Sequence, residues 1–215
     1  MRGYLTGILL LALALGAPGR AAETYDLIFK NGTLDGLPGD HTLVYSKTVD
    51  LPLDAEAAAR ETGEVRLTFE AEDMARLRFH QNGKHRNIGQ FPATVGNPMI
   101  MYFVETVVRD LAKHAGGSPF YIRNRVKDSL IQFAEIETRD MPFGTDTVKV
   151  QSITLHPFRK DPNRDRMRGF EDVALTISMS EAVEGWYYAL RAATPSKPGA
   201  AVYDYTITLE PGAAK

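Results

Sequence analysis

The sequence predicts an α+β fold: a curved, mostly antiparallel sheet of about 8 to 10 strands, an open or half barrel, wrapped around a central helical hairpin. Three observations predict it. A two-residue hydrophobic alternation runs through both ends of the chain, a helical period occupies only the centre, and turn signals of the hairpin type separate the alternating segments. Single strands do not alternate with single helices, which disfavours a parallel doubly wound sheet.

Taken in order, residues 25–29, 42–49, 65–69 and 75–80 alternate as half-buried strands, with 35–40 (DGLPGD) as a turn between the first two. Asn82-Gly83 fits a two-residue type I′ loop, which fixes register: Gln81 opposes Lys84, His80 opposes His85 and Phe79 opposes Arg86. One face of that hairpin then carries Leu77, Phe79 and Ile88, and a solvated face carries Arg76, Arg78, His80, His85 and Asn87.

Asn97-Pro98 is a helix start, and residues 99–114 are apolar at 99, 100, 103, 104, 107, 108 and 111. Gly116-Gly117 ends this helix, and Ser118-Pro119 restarts a second one through about residue 133. Strand alternation returns at 147–158, 170–179, 185–192 and 202–209. In the first of these the apolar phase moves from Val148 and Val150 to Ile153 and Leu155, which calls for a bulge or bend near Gln151-Ser152. The charge-dense stretch 159–169 reads as a mobile loop.

The 215 residues carry 25 basic and 27 acidic side chains and no cysteine. Near-neutrality gives no global field for nucleic acid, and the missing thiols exclude thiolate catalysis, thiolate metal sites and disulfides. Residues 1–21 have one early cation, an apolar run from Ile8 to Leu15 and small residues at Gly19 and Ala21, the pattern of a cleaved secretory signal peptide. The run is too short for a permanent membrane span, which needs roughly 20 residues. Residues 22–215 then form a single domain, exported and expected in a bacterial periplasm, where export without disulfides is ordinary. No cysteine follows the apolar run, so no lipid anchor is expected. Asn31-Gly32-Thr33 is read as a turn.

No nucleophile elbow, phosphate loop or His-Glu-x-x-His motif is present, so no catalytic residue, cofactor or metal site is assigned. Ser118 is an N-cap. His80 and His85 oppose one another, but their neighbours are arginines, which repel a cation. Glu135, Glu137, Glu171 and Asp172 read as solvated acids, and Glu105 with Arg109 as a surface pair along the first helix. The start of the first helix carries no charge on any side, so all its faces are expected to be buried, against protein or against a ligand. Met99, Met101, Tyr102 and Phe103 are therefore candidates to line an apolar ligand cavity, with filling of the core as the plainer reading. Arg123 and Arg125 lie near a helix start, where the dipole disfavours cations, and are candidates for an anionic headgroup or for a salt-bridge cluster.

The segments GNPMIMYFVE and GGSPFYIRNR resemble a pattern of small exported proteins of alphaproteobacteria without assigned activity, over most of residues 22–215. No catalytic residue comes with that resemblance. The expected curved sheet over helices is also similar in architecture to the periplasmic lipoprotein-carrier open barrels, which bind acyl chains; the resemblance lies in the fold, without a shared motif. The function expected is non-catalytic, with a lipid or apolar small molecule, or an envelope protein, as partner. An envelope hydrolase using Asp or Glu with a histidine, and a structural interaction module, are the alternatives.

Overall fold

The computed structural model describes residues 19–195 and 202–212. Nine strands form one antiparallel sheet: β1 (Thr42–Asp50), β2 (Gly63–Glu70), β3 (Met74–Gln81), β4 (Lys84–Pro92), β5 (Ile136–Phe143), β6 (Asp146–Leu155), β7 (Ala174–Met179), β8 (Tyr187–Ala193) and β9 (Asp204–Leu209). Their spatial order is β4-β3-β2-β1-β9-β8-β7-β6-β5, and the sheet is open, with β4 and β5 at its edges. Two meanders, one from each end of the chain, are thus joined at the centre by β9 pairing with both β1 and β8. Four helices accompany the sheet: α1 (Gly19–Ile28), α2 (Ala55–Glu61), α3 (Met99–His114) and α4 (Pro119–Leu130). No described helix is long and apolar enough to cross a membrane.

The inner face is built by the predicted alternation. Leu43, Tyr45, Val65, Leu67, Leu77, Phe79, Leu175, Ile177, Tyr205 and Ile207 are buried, and α3 lies over them with Phe103 stacked on Tyr205 at 5.6 Å between ring centres. α3 begins and ends where its sequence dictates. Asn97 Oδ1 accepts from the Met99 amide at 3.0 Å, capping the first turn, and Gly116 and Gly117 take positive φ angles of 84° and 98° just past its end. α4 follows at once and packs against α3, closing at Leu130 rather than near residue 133.

The 82–83 turn has the expected positive φ angles, 50° and 72°, and the expected pairs Gln81↔Lys84, His80↔His85 and Phe79↔Arg86. Beyond Asn87 the register slips, so that Leu77 opposes Gly89 and Ile88 is the extra residue of a bulge. Arg86 lies opposite Phe79 as expected, with its guanidinium 4.9 Å from the ring centre, and Ile88 still packs against the core.

Other expectations are corrected. Residues 25–28 belong to α1 and Phe29 to the turn after it, not to a strand. Tyr25, Leu27 and Phe29 alternate, but Thr24 and Ile28 are the buried pair and the Tyr25 and Phe29 rings meet at a tilt, 4.8 Å between centres, both pairs at helical spacing. The signal-peptide assignment lies outside the described residues up to residue 18, and α1 spans the expected cleavage position after Ala21. Its far end is tied in by Trp186 Nε1 donating to the Leu27 carbonyl at 3.1 Å and Tyr187 Oη donating to that of Ile28 at 2.7 Å.

Strand β5 has no counterpart in the sequence pattern. Its outward alternation is charged (Glu137, Arg139) and it sits at a sheet edge, where little apolar pattern is required. The phase change in β6 is real, but pairing runs through it without a slip, so Val148 and Val150 are buried on one face and Ile153 and Leu155 on the other. The hairpin tip bends onto the back of β8: Tyr188 Oη donates to the Pro142 carbonyl at 2.9 Å, and its ring is 6.2 Å from that of Phe143. Nor is 159–169 a loose loop. Asp161 and Met167 are buried, and Arg164 bridges to Asp172 at 2.7 Å.

Candidate functional site: a buried lysine under the second helix

Strand β1 points Leu43, Tyr45 and Lys47 inward in succession. A lysine in that phase is buried completely, and its side chain has no exposed surface. Burying an ammonium costs several kcal/mol unless it is compensated. Lys47 Nζ donates to Glu61 Oε2 at 2.7 Å and to Tyr102 Oη at 3.1 Å. It also lies 5.0 to 5.5 Å from the ring centres of Phe79, Tyr102 and Tyr205. The residue opposite it on β2 is Gly63, where a Cβ would stand 2.4 Å from the His80 carbonyl and 2.9 Å from the Phe79 ring. The bare backbone there lets Phe79 close over the lysine.

Glu61 is the last residue of α2, and the same Oε2 accepts from Arg86 Nη2 at 2.6 Å. Burial, the largest single influence, pushes the Glu61 carboxyl up, but Lys47 and Arg86 together hold it below its usual range. Further in, Tyr203 Oη donates to Asp110 Oδ2 at 2.9 Å. Burial pushes the Asp110 carboxyl above its usual range, and Tyr203, Lys47, Arg109 and His114 pull it back only in part. The buried Tyr205 hydroxyl has no hydrogen-bond partner, with Tyr102 and Thr106 as its polar neighbours. Lys47, Tyr102, Thr106, Asp110, Tyr203 and Tyr205 thus make a polar seam inside an otherwise apolar interior.

Two spaces flank α2. A recess of about 270 Å³ opens between α2 and α3 and is floored by Lys47. A wider groove of about 990 Å³ runs between α2 and the turn ends of β1 to β4. They share Val49, Leu51 and Ala58. α2 itself offers mostly alanine, with Asp54 capping it by accepting from the Ala57 amide at 3.1 Å, so it covers the sheet end thinly.

The residues chosen from sequence are dispersed. Met99 and Phe103 are fully buried core residues and Tyr102 is the lysine's partner. Met101 is 49% exposed, against the expectation that every face of the helix start is covered, because it begins the outward stripe Met101, Glu105, Arg109, Lys113 at four-residue spacing. The four residues 99, 101, 102 and 103 do not face one cavity. Arg123 is held by Glu105 through two hydrogen bonds of 3.0 and 2.8 Å, so Glu105 pairs across the helical hairpin and not with Arg109. Arg125 bonds Asp128 at 2.7 Å, lies over the Tyr121 ring, and has a buried Nε without a partner.

Arg125 also borders a second cleft, about 490 Å³, with His156, Glu135, Glu137 and Asp161. Burial, then Arg159, holds the His156 imidazole below its usual pKa. The hydroxyls there are committed elsewhere: Ser129 Oγ donates to the Val126 carbonyl, Ser152 pairs with Ser178, and Thr154 with Thr176. Asp161 accepts from Tyr121 Oη at 2.7 and 2.6 Å. The cleft therefore gathers acids and a histidine without a base-activated hydroxyl. His80 and His85 stack at 5.5 Å, and no group of three or more His, Asp or Glu is placed to hold a metal ion among the described residues.

No protein-family model and no curated protein matches this sequence.

Proposed function

We propose that this chain is an exported, non-catalytic binding protein of the periplasm, whose ligand is an apolar or lipid-like molecule. The observation that carries the reading is the groove of about 990 Å³ beside α2, walled on one side by Leu51, Pro52, Ala55 and Ala58 and continuous in lining with the Lys47 recess. Buried ion pairs are weak sources of stability, so an interior lysine next to a groove is better accounted for by binding than by folding. The open sheet over a helical pair is compatible with acyl-chain binding, and the reading of export rests on the pattern of residues 1–21 and on the resemblance of GNPMIMYFVE and GGSPFYIRNR to exported proteins.

A hydrolase at the cleft of His156, Glu135 and Glu137 is the second reading, favoured by that gathering of groups and opposed by the commitment of its hydroxyls. An envelope protein as partner would find Met101 and Phe120 exposed on the helical hairpin. The test is to express the full chain in its native host, recover the periplasmic fraction and analyse the protein by native mass spectrometry. A species starting at Ala22 with bound lipid is expected. Protein that stays in the cytoplasm uncleaved, or a ligand-free species that binds no amphiphile when titrated, overturns the reading.

A further inference from the structure

The recess over Lys47 has a chemistry of its own. Lys47, fully buried, and Arg86, exposed, converge on one carboxylate oxygen, Glu61 Oε2, at 2.7 and 2.6 Å, so an oxyanion is already stabilised beside a groove whose one wall, Leu51, Pro52, Ala55 and Ala58, is apolar. A third cation is uncommitted. Arg109 Nη2 bonds only the Thr106 hydroxyl at 3.1 Å, and no ion pair to it is formed among the described residues. Lys113 and Arg60 also border the recess but are engaged by Asp54 at 2.9 Å and Glu56 at 3.4 Å. The second acid of the lining, Asp110, is turned inward to Tyr203. In a chain with a formal charge of −2, this is a local concentration of positive charge, with Val49, Leu51, Ala57 and Ala58 as the apolar part of the lining.

We propose that the recess receives the acidic head, a carboxylate or a phosphate monoester, of an amphiphile whose chain lies in the groove beside α2. The head sits between Arg109 and Arg86 with Lys47 beneath, and the chain follows Val49, Leu51 and Ala58 into the wider space. This deepens the binding reading given above and rests on it. The small side chains of α2 leave the room, and the Glu61 carboxylate, 40% exposed at the end of that helix, marks where an anionic oxygen is already stabilised.

The experiment is calorimetric titration of the delipidated, processed protein with dodecanoate, dodecyl phosphate, dodecanol and inorganic phosphate, each below its micellar concentration. The acids are expected to bind at least tenfold more tightly than dodecanol, and the difference to shrink as salt is raised. Arg109→Ala, on an exposed position that leaves folding intact, is expected to weaken the acids about tenfold and leave dodecanol unchanged, with Arg109→Lys recovering part of the loss. Equal binding of dodecanol and the acids, unaffected by Arg109→Ala, overturns the acidic head while sparing the binding reading. Saturation by inorganic phosphate alone, sensitive to Arg109→Ala, overturns the amphiphile in favour of a free anion. Failure of all four ligands overturns both.

Discussion

The side-chain amide of Asn97 donates to the Gly185 carbonyl at 2.7 Å and so fastens the start of α3 to the turn between β7 and β8. The same Nδ2 donates to Tyr45 Oη at 2.8 Å, and the Asn97 backbone amide donates to Thr33 Oγ1 at 2.8 Å. Four separate parts of the chain meet at one buried amide.

Replacing Asn97 by Ala leaves Tyr45 Oη, the Gly185 carbonyl and the Met99 amide without these partners in a dry setting. At roughly 1 to 3 kcal/mol per orphaned group, with partial relaxation, a loss of about 3 to 5 kcal/mol is expected. Urea unfolding followed by Trp186 fluorescence measures it, and a loss below about 1 kcal/mol contradicts the hub.

Gly185 has φ of 72°, and a Cβ there would lie 2.5 Å from Leu43 Cδ1 and 2.9 Å from Asn97 Nδ2. Gly185→Ala combines left-handed strain with overpacking, each about 1 to 2 kcal/mol. Its midpoint in the same urea experiment should fall well below that of Gly83→Ala, where φ is also positive but the added Cβ meets nothing within 4 Å. Equal effects at the two glycines would show that crowding contributes nothing.

The Lys47–Glu61 pair is asymmetric. Removing Glu61 strands a fully buried ammonium, whereas removing Lys47 leaves Glu61 half-exposed and still held by Arg86. Glu61→Ala is therefore expected to cost about 3 kcal/mol, and Lys47→Met about 1 kcal/mol or less, since an apolar side chain of similar length suits the aromatic surroundings. The reverse order in thermal unfolding would refute the arrangement.

Asp110 supplies a pH dependence of definite sign. Its folded-state pKa is raised by burial, so the folded protein holds that proton more tightly than the unfolded chain. The contribution to stability is complete below the ordinary carboxylate range near 4 and is lost as pH rises through the higher folded value. Asp110→Asn, which keeps an acceptor for Tyr203 Oη, should be more stable than the parent at pH 7, with the gain disappearing at about pH 3. A gain that grows in acid contradicts the raised carboxyl.

Much of the architecture is legible because burial on one face writes a period into the chain. Residues 42–49, 65–69 and 75–80 all lie in strands, and 99–114 keeps its apolar stripe from end to end. The failures have physical causes. Residues 25–29 alternate by accident of a short amphipathic helix, and edge strand β5 has little to bury. The site is hidden from pattern reading because its chief residue violates the pattern: Lys47 stands in phase with Leu43 and Tyr45, and Asp110 in phase with Phe103 and Val107, each a polar residue on an inward face. What sequence does not carry is that Glu61, Arg86 and Tyr102, from three other elements, meet there.

The position of β9 bears on how the molecule comes to exist at all. Of the described strands, the one that unites the two meanders comes last in the sequence; Ser46 bonds across to Thr208, 162 residues later. Until it docks, β1 and β8 each present an unpaired margin, and closing so long a loop is slow compared with forming the hairpins within each half. The two meanders are therefore expected to form before they join, with the docking of β9 as the slow step of refolding.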